Sequence, residues 1–298
     1  MTTTPHTNSD TAARQKVTTR SFALKKKRGQ PITMLTAYDY PTALAIDKAG
    51  IDSILVGDSL GMVVLGYENT LPVTMQDMLH HCRAVARGAR FPLLIGDMPF
   101  MSYQTSVDKA VENAGRFLQE AGMDAVKLEG GRDRAKAVQA MVGAGIPVMG
   151  HLGLTPQSVH AFGGFRAQGK TASAARRVLE DALILQEAGA FGIVLEAVPA
   201  QLAQLISERL VIPTIGIGAG LGCDGQVLVT HDMIGQFDRF TPSFVRQYAQ
   251  IHTIVLEAMQ DYAREVAEKQ FPAEEHSIFM KDEEWQELLA ELNTQTDG

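Results

Sequence analysis

Two carboxylates stand at the ends of short apolar segments, where a buried strand is expected to stop. Asp58, followed by Ser59, comes directly after SILVG, and Asp97 ends LLIGD. An Asp after a strand most often caps a helix or forms a turn. Neither Asp58 nor Asp97 is followed directly by a helical pattern, so we interpret both as members of a functional site.

Further ionisable residues lie in later apolar segments of the same kind. Lys127 and Glu129 are two apart in AVKLEG, so their side chains leave a strand on the same face. His151 lies in PVMGHLGLT and Glu196 in GIVLEAV. An internal ion pair between Lys127 and Glu129 is the structural alternative, and a purely structural role is the alternative for His151.

The carboxylates suit a hard cation. Asp58, Asp97 and Glu129 offer oxygen ligands, and neither Cys82 nor Cys223 has a spacing suited to zinc. Mg²⁺ usually takes one or two protein carboxylates and completes its shell with water and substrate oxygens. The pattern therefore predicts a Mg²⁺ site in which Asp58 and Asp97 hold the ion directly or through water.

The elements that must bring these residues together alternate regularly along the chain. Eight apolar segments lack polar alternation, which is typical of parallel strands buried on both faces. They begin at Ile32, Ser53, Pro92, Ala125, Pro147, Gly192, Pro213 and Gln226. Helical patterns separate most of them. This alternation of strands and helices predicts a closed (β/α)8 TIM barrel, in which the C-terminal ends of the strands converge on one mouth.

An open doubly wound sheet is the alternative, because IGIGAGLG could pass for a dinucleotide-binding loop. Its glycine spacing departs from GxGxxG, and it comes late in the chain, where a seventh barrel strand would end. We therefore interpret it as a tight turn or an anion-binding nest at the barrel mouth.

One helical pattern, TSVDKAVENAGRFLQEAG, shows how the sequence specifies a helix. Ser106 or Thr105 can cap its start. Its apolar residues at spacings of three and four predict a buried face made of Val107, Val111, Ala114, Leu118 and Ala121.

Composition limits the class of protein and its partners. The chain of 298 residues is 45% hydrophobic and 20% charged, as in soluble globular proteins. Its net charge of -7 argues against nucleic acid or an anionic membrane as the partner. The two cysteines and the lack of an apolar leader predict a cytoplasmic protein. Residues 1–19 are predicted to be a disordered polar tail, and residues 20–298 a single barrel domain with C-terminal helices.

Several ordered motifs resemble the ketopantoate hydroxymethyltransferase family. They include GDSLGMVVLGYENTLPVT, IGDMPFMSY, VKLEGG, GHLGLTPQ, GGFRAQGKT and IGIGAGLGCDGQVLV, and the resemblance runs from about Thr19 to Phe279. It implies a (β/α)8 barrel related to the phosphoenolpyruvate/pyruvate enzymes. It also implies one-carbon transfer from 5,10-methylenetetrahydrofolate to 3-methyl-2-oxobutanoate (2-oxoisovalerate) in pantothenate biosynthesis, and a homo-oligomer, commonly a decamer.

The resemblance implies a role for each strand-end residue. The implied metal-site residues are Asp58, Asp97 and, through water, Glu129. The implied substrate contacts are Asp58, Ser59, Asp97 and Lys127. Glu196 would accept a proton, and His151 would line the site in a role that the resemblance does not define. Two departures from the family pattern, the polar extension before Thr19 and Ala167 in place of the usual Val, do not touch this chemistry.

The implied reaction follows from these residue types. A 2-oxo acid can chelate Mg²⁺ through its carboxylate and keto oxygens, and the metal then stabilises the enolate formed when the C3 proton leaves. Three alternatives remain at this point. They are a Mg²⁺-dependent carbon-carbon lyase of the same superfamily acting on a 2-oxo or 2-hydroxy acid, a Schiff-base aldolase with Lys127 as nucleophile, and a non-catalytic scaffold.

Overall fold

The computed structural model describes residues 14–295. The chain divides into two compact units, one ending at Tyr248 and the other beginning at Ala249. No helix within residues 14–295 has both the length and the apolar character needed to cross a membrane.

Eight parallel strands close into a barrel. They are β1 (Ile32–Thr36), β2 (Ser53–Val56), β3 (Leu93–Asp97), β4 (Ala125–Glu129), β5 (Val148–Gly153), β6 (Gly192–Glu196), β7 (Thr214–Ile217) and β8 (Gly225–Leu228). Each strand pairs in parallel with the next, and β8 pairs with β1. The predicted (β/α)8 barrel is confirmed, and the open sheet is excluded.

Helices precede, connect and follow the strands of the barrel. In the first unit they are α1 (Thr19–Lys27), α2 (Tyr40–Lys48), α3 (Leu60–Val63), α4 (Met75–Gly88), α5 (Val107–Ala121), α6 (Ala135–Gly143), α7 (Val159–Phe162), α8 (Ala172–Glu187), α9 (Ala200–Arg209) and α10 (Thr230–Met233). The second unit contains α11 (Ile251–Ala267) and α12 (Asp282–Gln295). Ser106 caps α5 as predicted, with its side chain accepting from Lys109 N.

The apolar core has two layers. One fills the barrel interior and includes Met34, Leu55, Ile95, Met149, Val194 and Val227. Phe22 of α1 is fully buried and packs into this same interior layer. The other layer lies between the strands and the surrounding helices. Strands β2 to β7 are thus buried on both faces, which is why their sequences show no polar alternation, whereas β1 and β8 each have one exposed residue, Thr33 and Gln226.

The buried face of α5 differs from the predicted one. It consists of Ala110, Asn113, Ala114, Phe117 and Ala121, whereas Val107 is 38% exposed. Phe117 packs against Gly96 of β3, where a Cβ would lie 2.3 Å from the ring atom Cδ1. The absence of a side chain at Gly96 therefore admits the large ring, and this rotates the buried face away from the predicted aliphatic residues.

The predicted polar tail, residues 1–19, extends beyond the described part of the chain. Residues 1–13 lie outside the described residues. Within residues 14–18 the chain contacts the barrel unit, and Lys16 Nζ lies 2.6 Å from Asp124 Oδ2. This part of the predicted tail therefore forms specific polar contacts, which its composition alone did not indicate.

Candidate active site

A cavity of about 360 Å³ opens at the C-terminal ends of the strands. All seven residues that the sequence analysis selected line it: Asp58, Ser59, Asp97, Lys127, Glu129, His151 and Glu196. Strands β3 to β6 carry five of them, and Asp58 and Ser59 follow the end of β2. The barrel therefore brings together residues that lie far apart in sequence.

Lys127 forms a buried ion pair with Asp97. The two residues are register partners on β4 and β3, and Lys127 Nζ lies 2.9 Å from Asp97 Oδ1. Burial acts to lower the pKa of Lys127, but the charges of Asp97, Glu129 and Asp58 outweigh it and raise that pKa above its usual value. Lys127 is therefore a permanent ammonium group, which suits anion binding and does not suit the nucleophile of a Schiff-base aldolase.

The carboxylates around this ion pair carry excess negative charge. Burial raises the pKa of Asp58 well above its ordinary value, and the charges of Asp97 and Glu129 raise it further. Asp58 N donates to Asp97 Oδ2 over 3.1 Å, which holds the Asp97 carboxyl group against the backbone of Asp58. The cluster is therefore able to bind a cation or a proton.

His151 lies between two carboxylates. Its Nδ1 is 3.5 Å from Glu129 Oε1, and its Nε2 is 3.2 Å from Glu196 Oε2. Burial and the Lys127 charge act to lower the pKa of His151, but Glu129 and Glu196 outweigh them and raise it to about 9. The two carboxylates therefore favour the imidazolium form of His151 against the repulsion of Lys127, whose Nζ lies 3.3 Å from His151 Nδ1, and His151 links Glu196 to the buried cluster.

The backbone around Glu196 is held by close contacts with β5. Leu154 N donates to Glu196 O over 2.8 Å. Gly153 has φ +97°, and a Cβ there would lie 2.1 Å from Glu196 O, so only glycine allows this approach. The next residue, Ala197, has φ 47°, an uncommon conformation for a residue with a side chain. These constraints place Glu196 at the cavity wall with its side chain 17% exposed.

Ser59 is oriented by a buried tyrosine. Tyr38 OH and Ser59 Oγ lie 2.8 Å apart. Burial raises the pKa of Tyr38, so its hydroxyl stays protonated and able to donate. Ser59 thus lines the cavity as a hydrogen-bonding group whose direction is set by Tyr38.

Gln157 connects the cluster, and the sequence analysis did not select it. Its Nε2 donates to Asp58 Oδ2 and to Met98 O, each over 2.9 Å, and its backbone N donates to Glu129 Oε2 over 3.0 Å. Its Oε1 accepts from Tyr103 OH over 2.7 Å. Gln157 lies in the motif GHLGLTPQ, but a glutamine after a Thr-Pro turn carries no signal of a buried role.

Replacing Gln157 with leucine is expected to lower the free energy of unfolding by about 1–3 kcal/mol. The loss follows because Asp58 Oδ2 and Tyr103 OH then lose a buried partner. Urea denaturation measures it. Gln104→Leu is the control, because within residues 14–295 its side chain hydrogen-bonds to Gln157 Oε1 and Tyr103 N but to no carboxylate. Equal losses in the two variants would contradict the role of Gln157 as the connecting residue.

The oxygen atoms of the cluster fit a magnesium ion for which the protein supplies only part of the coordination shell. Within residues 14–295, no group of three or more His, Cys, Asp or Glu side chains is arranged to enclose a metal. Asp58 and Asp97 are close together, and Glu129 Oε1 is buried without a hydrogen-bond partner. Two carboxylates plus water and substrate oxygens are the set that Mg²⁺ commonly takes.

Comparison with known proteins decides the family. The family described as ketopantoate hydroxymethyltransferase matches residues 16–274. The chain belongs to this family. It is therefore an enzyme, and the non-catalytic scaffold is excluded.

Relatives within the ketopantoate hydroxymethyltransferase family are similar over most of their length. A 3-methyl-2-oxobutanoate hydroxymethyltransferase from Syntrophus aciditrophicus is 61% identical over 264 residues, which are 89% of this chain and 97% of that protein. A protein of the same name from Carboxydothermus hydrogenoformans is 56% identical over 268 residues, 90% of this chain and 97% of that protein. The family expected from the motifs is confirmed.

Solved structures of the same fold are more distant. Phosphonopyruvate hydrolase has a TM-score of 0.59 and 14% identity, with 94% of this chain and 97% of that chain covered. A 2,3-dimethylmalate lyase of the PEP mutase/isocitrate lyase superfamily has a TM-score of 0.56 and 12% identity, with the same coverage. At this identity the likeness concerns the fold alone. It confirms the predicted barrel fold, whereas the sequence match separates this family member from the lyases.

Proposed function

We propose that the enzyme transfers a hydroxymethyl group to 3-methyl-2-oxobutanoate from 5,10-methylenetetrahydrofolate, giving 2-dehydropantoate for pantothenate and coenzyme A synthesis. The names of its relatives support the acceptor and the reaction class. The observation that carries the proposal is the contact between His151 and Glu196 beside the buried pair of Lys127 and Asp97, all in one cavity.

Asp58 and Asp97 would hold a Mg²⁺ ion, with Glu129 contacting it through a water molecule. When bound, the ion would polarise the keto oxygen of the acid and so ease the loss of the neighbouring C3 proton. The buried cluster supports this assignment, because burial and the charges of Asp97 and Glu129 raise the pKa of Asp58, and a cation would offset both effects.

The residues of the chain then have distinct tasks. Lys127 pairs with the substrate carboxylate, since its ammonium charge is fixed at neutral pH. Ser59 offers a hydrogen bond to the same acid. Glu196 accepts the C3 proton, and the imidazolium of His151, 3.2 Å away, holds one of its oxygens in place.

The proposed transfer forms one C–C bond and one C–O bond to the methylene carbon. The electron pair of the C3–H bond forms the new C–C bond to the methylene carbon. Both bonds from that carbon to the folate nitrogens N5 and N10 break, and each nitrogen keeps the electron pair of its bond. The C3 proton and one proton of water go to the two nitrogens, and the remaining hydroxyl of the water forms the C–O bond. One water molecule is consumed overall, because the transferred carbon ends as a hydroxymethyl group. The apolar upper part of the cavity, which includes Leu154 and Phe244, limits the access of other water.

A product assay tests the proposed function. Incubation with 3-methyl-2-oxobutanoate, 5,10-methylenetetrahydrofolate and Mg²⁺ should give 2-dehydropantoate, detected by mass spectrometry. The control substrate 3,3-dimethyl-2-oxobutanoate has no C3 proton and should not react. Consumption of that control, or no product from the natural acid, would contradict the proposal.

Replacing Asp97 with asparagine is expected to weaken divalent-metal binding by about 10- to 100-fold, because the site loses a charged ligand. The electron paramagnetic resonance signal of free Mn²⁺ measures this binding without any catalytic assay. Asp108→Asn, on the exposed start of α5, serves as the matched control. Unchanged Mn²⁺ affinity in Asp97→Asn would remove Asp97 from the metal site.

Assembly and location stay predictions. The predicted homo-oligomer, a decamer by family resemblance, has support from exposed apolar side chains on α11 and α12, among them Ile254, Met259, Tyr262 and Trp285. The predicted cytoplasmic location and the predicted lack of a nucleic-acid or membrane partner rest on composition and charge alone.

A further inference from the structure

Asp232 is a carboxylate in the cavity that the proposed chemistry does not use. It lies on α10, directly after β8, and is 7% exposed while lining the cavity. Within residues 14–295 its carboxylate has no hydrogen-bond or ion-pair partner, and burial alone raises its pKa to about 6. A carboxyl group that lines a cavity without such a partner is free to accept hydrogen bonds from a ligand.

The position of Asp232 separates it from the acid-binding cluster. In the barrel, β1 lies between β8 and β2, and β7 lies between β8 and β6. The charged residues of the cluster come from β2 to β6, whereas the cavity wall around β8 is mainly apolar. That wall includes Val227, Val229, Phe237, Phe240 and Phe244. The cavity therefore has two regions. One is charged, and the other is apolar and contains, among the described lining residues, one carboxylate, that of Asp232.

This second region is unsuited to the oxo acid. A carboxylate repels another carboxylate, and the small acid already has partners in Lys127 and Ser59. The ligand of this region needs hydrogen-bond donors for Asp232 and a flat surface for Phe237 and Phe244. The ring of a reduced pterin has both, since its ring N–H and its 2-amino group are adjacent donors on one edge of a planar system.

We propose that Asp232 binds the N–H and 2-amino donors of the pterin ring of the one-carbon donor, with the aromatic side chains of the wall contacting the faces of that ring. This assignment rests on the proposed function, because it takes a reduced folate as the second substrate. It places the donor on the β8 side of the cavity and the acid on the β2 to β6 side, so that the methylene carbon lies between them.

Calorimetric titration with tetrahydrofolate, in the presence of Mg²⁺ and 3-methyl-2-oxobutanoate, tests the assignment. Asp232→Asn should raise the dissociation constant by about 10- to 100-fold, because a hydrogen bond to a charged group is lost. Asn keeps the shape of the side chain, and equal melting temperatures would confirm an intact fold. Asp108→Asn, outside the cavity, is the matched control and should bind as the wild type does.

A second ligand makes the test specific. Wild-type protein should bind 2-desamino-2-methyltetrahydrofolate more weakly than tetrahydrofolate, whereas Asp232→Asn should bind the two with similar affinity. If Asp232→Asn binds tetrahydrofolate as the wild type does, or still prefers the 2-amino ligand by the wild-type factor, this assignment is overturned and the proposed function stands. If the wild type binds no tetrahydrofolate at all, the proposed folate donor and this assignment are both overturned.

Discussion

Replacing Glu196 with glutamine should slow the exchange of the C3 proton of 3-methyl-2-oxobutanoate by about 10²- to 10⁴-fold, the usual contribution of a positioned general base. The amide keeps the shape of the side chain but cannot accept the proton. The exchange rate is measured by NMR in D₂O, and the rate of product formation should fall with it.

Two further measurements make the Glu196 test specific. The pKa of His151, which Glu129 and Glu196 raise to about 9, should fall in Glu196→Gln because one of the two carboxylates is lost. Glu187→Gln, at the exposed end of α8, is the control and should exchange the proton at the wild-type rate. Exchange at the wild-type rate in Glu196→Gln would show that another group is the base.

Replacing Lys127 with methionine is expected to lower the free energy of unfolding by about 3–5 kcal/mol, as when one partner of a buried ion pair is removed. The reason is that the side chains of Lys127 and Asp97 are only 4% and 2% exposed, so the remaining carboxylate has no access to solvent. Chemical denaturation measures the loss. Activity should also be lost, because the substrate carboxylate loses its cation.

A double variant separates the ion pair from packing. Adding Asp97→Asn to Lys127→Met removes the uncompensated carboxylate, so the double variant should be more stable than Lys127→Met alone. If the changes in the free energy of unfolding caused by the two substitutions were simply additive, the destabilisation would come from lost packing and not from the buried charge.

The barrel itself could be predicted because its strands are buried on both faces. That burial requires continuous apolar segments. Few architectures accommodate eight such segments that are separated by helical patterns. The strand-end residues could be predicted for a related reason: Asp58, Asp97 and Glu196 interrupt or end apolar segments, and the barrel topology then brings such ends together.

Contacts between side chains could not be predicted in the same way. The sequence spacing suggested Glu129 as the partner of Lys127, but the lysine lies against Asp97, its register partner on the neighbouring strand. The buried face of α5 depends on Gly96 of β3, a long-range contact that no helical periodicity contains. Both outcomes depend on strand register, which a single sequence does not specify.

Two residues of the site had no signal in the sequence. Gln157 is an uncharged residue in a turn, and its connecting role exists only through its five hydrogen-bonded neighbours. Asp232 follows a strand and lies in the first turn of a short helix, so its sequence context is that of an ordinary helix-start residue. Only the structure shows that it is buried and lines the cavity.

The central claim is that the buried cluster and Glu196 remove the C3 proton of a 2-oxo acid. The most direct test is the deuterium exchange of 3-methyl-2-oxobutanoate at C3, followed by NMR with wild-type enzyme, with and without Mg²⁺, and in the absence of folate. The account predicts exchange that requires both the enzyme and the metal. No exchange under these conditions, and none after the addition of tetrahydrofolate, would contradict it.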